Sequence, residues 1–372
     1  MIDPPPRRPS MLISKPRLPF REILLFGLWP SPLKKFIYRL RGYRIGPGVS
    51  LGFGTIVCGD DVQIEEGTQI GLLAIVRGKK IRLGPHVQIG AMSFLDTPTI
   101  EIGEGTKINE QVFIGGLQFP DSSITIGKNC QIMQMSFINP TRSITIGDDT
   151  GIGGDCLLFG HTSWLSAFEG YPVEFDSIEI GRSVSVAWRV FILPGSKIGD
   201  GAVIGANSLV RGVIPGRCLA VGYPARVVSK APEFPRELSD AEKINLLDRI
   251  VREMIDYFRG FDLECVSSDG LWTIQHKQRR WGWSRTERFT LFVQTQSEPA
   301  ESNPEVDVFV SLVPIATERR RALTLAGTTW IDIAGKERSN HGNQLGEEVV
   351  HYLRRHGVRF SRDRTADPAV VR

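Results

Sequence analysis

IEIGRSVSVAWRVFILPGSKIGDGAVIGANSLV, residues 178–210, decides the fold. Its aliphatic residues Ile180, Val186, Ile192, Ile198, Ile204 and Val210 stand six apart without a miss, and Gly181, Ala187, Gly199 and Gly205 follow several of them. A helix repeats near 3.6 residues and a strand at 2, so neither period accounts for six. A strict period of six needs a coil in which every sixth side chain points inward at an equivalent place. The expectation is therefore a β-helix whose turns bury their aliphatics against the turns above and below.

Outward from this stretch the repeat continues. It begins at Ile45-Gly46 with Leu51 and Val57, drifts through Val62 to Ile70, and resumes at Leu83 and Ile89. A longer phrase then recurs: TIEIG at 99–103, SITIG at 123–127 and 143–147, SIEIG at 177–181. Three hexapeptides make a triangular turn of eighteen residues. The phrase returns instead after twenty-four (Ile102 to Ile126), twenty (Ile126 to Ile146) and thirty-four residues (Ile146 to Ile180). The last excess predicts an extruded loop at about residues 160–176, and loops thrown from a rigid scaffold are where function concentrates.

Residues 1–43 read as a disordered arm followed by a helical cap. The first nineteen carry six prolines and four basic residues, too little apolar content to order a chain. Residues 20–43 mix Ile23, Leu24, Leu25, Phe26, Leu28 and Trp29 with Lys34, Lys35, Arg39 and Arg41, and Pro30 and Pro32 divide them into two short helical pieces. These pieces either close the open end of the β-helix, the reading preferred, or make peripheral contact with an anionic membrane face. The β-helix spans 44–228 and a proline-bearing linker 229–238. The remainder, 239–372, reads as a smaller α+β domain of unknown role. Its first helix starts at a Ser239/Glu242 capping box and carries the stripe Ile244, Leu247, Val251, Met254 and Phe258, expected to pack on its own domain. Strands follow at 271–276, 289–295, 306–313 and 329–333, and a closing helix at 346–356. Trp281 and Trp283 beside Arg279, Arg280 and Arg285 read as core aromatics with solvated arginines.

Composition narrows the function. A net charge of +4 on 372 residues argues against a nucleic-acid partner. The five cysteines are odd in number and form no Cys-x-x-Cys, so they read as buried small hydrophobes. No signal peptide and no run of about 18 apolar residues is apparent, which places the chain in the cytoplasm. Of six histidines, only His161 falls in the extruded loop. A neutral imidazole placed there by a stiff scaffold is suited to take a proton from a hydroxyl or amine.

Phe159-Gly160-His161, the restart Ile178-Glu179-Ile180-Gly181, residues 192–210 and Gly222-Tyr223-Pro224-Ala225-Arg226 together resemble the hexapeptide-repeat acyltransferases with a left-handed parallel β-helix, in particular the branch of galactoside, maltose and xenobiotic O-acetyltransferases. The resemblance covers residues 45–228. It implies a homotrimer with sites in the grooves between subunits, acetyl-CoA as donor with no metal, and His161 as general base. It implies contact of Asn139 with the acceptor, of Arg226 with the CoA phosphates, and a pantetheine slot lined around Ala187 and Gly205. The pattern is broken at Val184-Ser185-Val186-Ala187, where many relatives read Val-Trp-Ile-Gly; Trp164 or Trp188 is a candidate substitute for the missing tryptophan, Trp164 being placed with the acceptor site. The function implied is O-acetylation of a saccharide or cell-surface polysaccharide precursor, with N-acylation of an amino sugar and a non-catalytic β-helix scaffold as alternatives. A γ-type carbonic anhydrase needs three histidines on zinc, and the repeats hold only His86 and His161.

Overall fold

The computed structural model describes residues 19, 22–268, 270–280, 283–296 and 305–363, and these fall into two compact units, 1–228 and 229–372. The first unit is a three-sided parallel β-helix. Its strands form three sheets, or faces, and the chain visits them in rotation: face one at Arg44–Ile45, face two at Ser50–Leu51, face three at Ile56–Cys58, then face one again at Asp61–Ile64, until Ala225–Lys230 joins face two directly beside Cys218–Gly222. Face one is nine-stranded, face two ten-stranded and face three eight-stranded.

The register explains the six-residue period. Ile102 sits opposite Ile126, Ile126 opposite Ile146 and Ile146 opposite Ile180, so like residues stack on like along the axis. Ile108, Ile132 and Ile152 stack in the same way on face two, and Ile114, Ile138 and Leu158 on face three, all fully buried. Beside the aliphatics, a small polar residue precedes the strand at several corners and bonds to a carbonyl of the next coil. Thr106 Oγ1 donates to Gly127 O, Thr150 Oγ1 to Gly181 O and Ser136 Oγ to Gly153 O. Cys130 and Cys156 occupy the same kind of position, with Sγ 3.1 Å from Gly147 O and Ala187 O. These cysteines are corner residues in a hydroxyl's place, and burial pushes the Cys156 thiol up to about 11.

The three edges differ. Where face one meets face two, the chain turns through a left-handed residue in every coil: Gly48, Gly67, His86, Gly105, Asn129, Asp149, Ser183, Gly201 and Arg217. Where face two meets face three the series is Gly54, Leu73, Met92, Gln111, Met135, Asp155, Arg189 and Asn207. The third edge has a tight left-handed corner only at Gly195 and Gly212. Every irregularity of spacing sits on this third edge. Ile45, Ile64, Leu83 and Ile102 pair in succession at intervals of nineteen, not eighteen. The apparent lapse between Val62 and Ile70 is thus no lapse: the stack is continuous, and each early coil carries one additional residue at 59–60, 78–79 or 97–98. Longer insertions leave the same edge at 116–122, 140–143 and 160–177.

Helix α1, Ser31–Leu40, covers the first coil, with Pro32 in its first turn rather than breaking it. In the second unit, helix α2 (Asp240–Arg259) is capped by Ser239 and Glu242 in a complete capping box and buries Leu247, Val251, Met254 and Phe258. The seven-stranded sheet of that unit includes Glu264–Ser268, Val308–Ser311, Thr329–Asp332, Glu337–Ser339 and Ser361–Asp363, joined by α3 (Thr317–Leu325) and α4 (Gln344–Arg355). Trp281 lies outside the described residues, as do the side chains of Arg279, Arg280, Trp283 and Arg285.

Candidate active site at the open edge

The 160–177 insertion is a two-stranded antiparallel ribbon. His161–Thr162 pairs with Glu174–Phe175, and Ala167–Glu169 forms a single helical turn at the tip. The ribbon is tied to the scaffold, because Arg211 holds Glu174 at 2.7 Å. His161 begins the ribbon's first strand, separated only by Gly160 from the strand Leu157–Phe159. The position of its Cα is therefore set by the rigid stack and not by the loop.

Two contacts fix the imidazole. Its ring packs against Phe159 and Phe175, each with its centroid 6.0 Å away, the Phe175 plane tilted by only 11°. Its Nδ1 is 3.0 Å from Thr141 Oγ1. The Thr141 hydroxyl donates to Asn139 Oδ1 at 2.8 Å. A hydroxyl has one proton, so once it is given to Asn139, Thr141 accepts from Nδ1–H. That arrangement leaves the lone pair on Nε2. Burial holds the His161 pKa below the ordinary histidine value, because the desolvated ring resists charge. A neutral imidazole with an available Nε2 is the state a general base requires.

The partners come from the two preceding insertions of the same edge. Asn139 ends the strand Phe137–Asn139 just before the shorter one and Thr141 lies within it; both are buried. Gly116, in the 116–122 insertion, has φ 155°, and a Cβ there would lie 2.1 Å from Asn139 Oδ1, so only glycine leaves the carboxamide its place. Phe119 meets Phe175 edge-on at 5.4 Å and is covered on another side by Arg142, itself paired with Asp121 at 2.8 Å. Beyond lies Asp96, bound bidentately by Arg77 at 2.8 and 2.5 Å. A ladder of half-buried rings, Phe94, Phe113, Phe137 and Phe159, climbs face three to the histidine with centroid spacings of 5.1, 4.8 and 5.3 Å.

The other residues singled out in the sequence lie elsewhere. Trp164 is 95% exposed on the ribbon. Ala187 and Gly205 belong to the second edge, across face three from His161. A Cβ on Gly205 would lie 2.6 Å from Val221 Cγ1, so coil stacking alone already demands a small residue there. Trp188, on that second edge, lays its ring against Gly154. Arg226 is exposed, with Nη1 donating to Ala225 O. Among the described residues, no three His, Cys, Asp or Glu side chains are placed to hold a metal.

No family model matches the chain. It is 34% identical over 118 residues to a putative lipopolysaccharide biosynthesis O-acetyl transferase of Escherichia coli (strain K12), covering 29% of this chain and 60% of the relative. It is 33% identical over 132 residues to the galactoside O-acetyltransferase of the same organism, covering 33% and 58%. A putative colanic acid biosynthesis acetyltransferase of that organism is 31% identical over 127 residues and is matched over 70% of its own length. The chain belongs to the hexapeptide-repeat acyltransferases. It spans about six-tenths of the length of the first two relatives. The family's signal was legible in the repeats and at His161. Thr141, Gly116 and Phe175 carried none, because their contacts with the histidine and Asn139 arise only when successive coils stack.

Proposed function

We propose that this chain transfers an acetyl group from acetyl-CoA to a hydroxyl of a saccharide or polysaccharide precursor, with His161 as the general base. The observation that carries the reading is the Asn139–Thr141–His161 chain, which leaves Nε2 of a neutral imidazole to accept a proton. The reaction needs little else. Acetyl-CoA supplies a thioester already activated for direct attack. His161 Nε2 takes the acceptor's proton as its oxygen bonds to the acetyl carbon, and the same proton passes to the departing sulfur as the C–S bond breaks. Phe159 and Phe175 pack against the ring and hold its orientation.

His161 and the Ala187–Gly205 corner lie on two edges that bound one face. A homotrimer of the kind the family resemblance implies sets the open edge of one protomer against the second edge of the next. In that arrangement Trp188 walls the groove where relatives carry a tryptophan at the position of Ser185, Arg226 is available to the CoA phosphates, and Trp164 reaches the acceptor. The saccharide class rests on the names of the relatives.

The test is release of free CoA thiol over a panel of sugars, amino sugars and polysaccharide extracts. The expected result is turnover with at least one hydroxyl acceptor, and a loss of ~10²-fold or more in His161→Ala, the scale of a missing general base. Equal turnover by the variant removes His161 from the mechanism. Failure of the wild type to bind CoA removes the enzyme reading altogether, and turnover only with amino sugars replaces O- by N-acylation.

A further inference from the structure

Helix α1 is amphipathic the wrong way round for a helix that packs on a core. Its inward side carries Ser31, Lys34 and Tyr38, and its outward side Leu33, Phe36, Ile37 and Leu40. The inward side answers the demands of an open β-helix. The first coil has no coil before it, so its backbone groups lack partners unless the cap supplies them. Lys34 is fully buried and its Nζ donates to Gly52 O and Thr55 O at 2.9 and 3.1 Å. Tyr38 Oη accepts from Val57 N–H and Ser31 Oγ from Leu51 N–H. Lys35 and Arg39 end on the carbonyls of Val49 and Ile45. Polar residues point inward because strand ends, not an apolar core, lie beneath.

Capping does not explain the outward side. Leu33, Phe36 and Leu40 fall on one stripe at i, i+3 and i+7 and are 42, 59 and 73% exposed. The turn before the helix adds exposed Leu25 and Leu28. Three large apolar residues on one stripe mark a binding surface rather than scattered exposure. Charge selects the occupant. No acidic residue occurs between Glu22 and Asp60, a span with five basic ones; Lys34 is buried and Arg44 pairs with Asp61, which leaves Lys35, Arg39 and Arg41. Lys35 and Arg39 flank the stripe, and their charges are met by carbonyls rather than cancelled by carboxylates.

We infer that this end of the β-helix docks on an anionic lipid surface, the α1 stripe entering the boundary of the acyl chains while Lys35 and Arg39 face the headgroups. Capping and membrane contact are then the two sides of one helix, not competing readings of residues 20–43. The inference stands apart from the proposed acetyl transfer and uses none of its residues.

The experiment is flotation of the full chain with vesicles of phosphatidylcholine alone and of phosphatidylcholine mixed with phosphatidylglycerol. The wild type should float with the mixed vesicles, release at high salt, and leave phosphatidylcholine vesicles largely unbound. The triple variant Leu33→Gln, Phe36→Gln, Leu40→Gln should lose binding by about tenfold or more, with an unchanged thermal melt, since all three side chains are exposed. Equal binding to both vesicle types, or undiminished binding by the folded variant, overturns the inference. So does a wild type that ignores vesicles; if its oligomeric mass falls in the variant, the stripe belongs instead to a second copy of the chain.

Discussion

Two edges of the β-helix turn on a left-handed residue in every coil, and the third has such a tight corner only near its end, at Gly195 and Gly212. The closed edges keep the spacing of six. The open edge takes on one residue in each of the first three coils, then the insertions at 116–122, 140–143 and 160–177. All the side chains that touch His161 or its partners come from the open edge or the strand leading into it. A corner locked by local backbone geometry cannot be lengthened without losing its register. An unlocked corner can, because its ends are already held by the sheets on either side. The stack thus supplies rigidity, and the open edge supplies variety next to it.

The sharpest way to break this contrast is to damage each part and compare. Ile152 is fully buried in the stack, and Ile152→Ala should lower the unfolding free energy by about 2–5 kcal/mol, the cost of a core cavity. Replacing the ribbon tip, residues 164–172, by a short Gly/Ser link should change it by only about 0.5 kcal/mol, as for surface changes generally. Both values come from denaturant melts of the unit's own transition. Comparable losses from the two changes would mean that the open edge is part of the stability core and the contrast fails.

How much of this was legible in the sequence follows the same division. The column of Ile180 to Val210 announces itself, since closed corners preserve its period. The loop around His161 was found as an excess of length. The location of every excess on one edge was not, because a nineteen-residue coil looks like a faded repeat until Ile45, Ile64 and Leu83 are seen in register. The Thr141–His161 contact spans a whole coil and leaves no local trace. In the second unit, α2 was legible from its cap and stripe. Helix α3 was not: TERRRALTL buries only Leu323, so it has no apolar stripe to read. The short strands Glu337–Ser339 and Ser361–Asp363 are placed by their neighbours and not by their own pattern.

A smaller effect isolates the positioning chain on the open edge. Thr141→Val removes the acceptor for Nδ1–H while keeping the shape. It should lower kcat by about tenfold with KM little changed, since a hydrogen bond to the reacting imidazole is worth about 1–2 kcal/mol; Thr141→Ser should restore most of the loss. In the wild type, the acidic limb of kcat/KM should titrate below 6.5, because burial lowers the His161 pKa. The sign for stability follows. Between the folded pKa and 6.5 the unfolded chain binds more protons than the folded one, so stability falls as pH drops through that window. A serine variant no better than valine would detach Thr141 from catalysis, and an acidic limb at or above 6.5 would remove the desolvated His161 as the base.

The smallest effect compares the edges by a single residue. Gln111 turns a closed corner with φ 58° and is exposed. Glycine adopts that conformation without the Cβ penalty but loses more entropy on folding. The balance favours Gln111→Gly by about 0.5–1 kcal/mol. Lys79 is an exposed residue of the open edge, without a positive φ. There glycine relieves no strain and only its entropic cost remains, so Lys79→Gly should destabilise by about 0.5–1 kcal/mol. The two substitutions therefore move the melting midpoint in opposite directions. If both destabilise, strain at the closed corners is offset by contacts of the side chains that turn them, and left-handed backbone alone does not distinguish the edges.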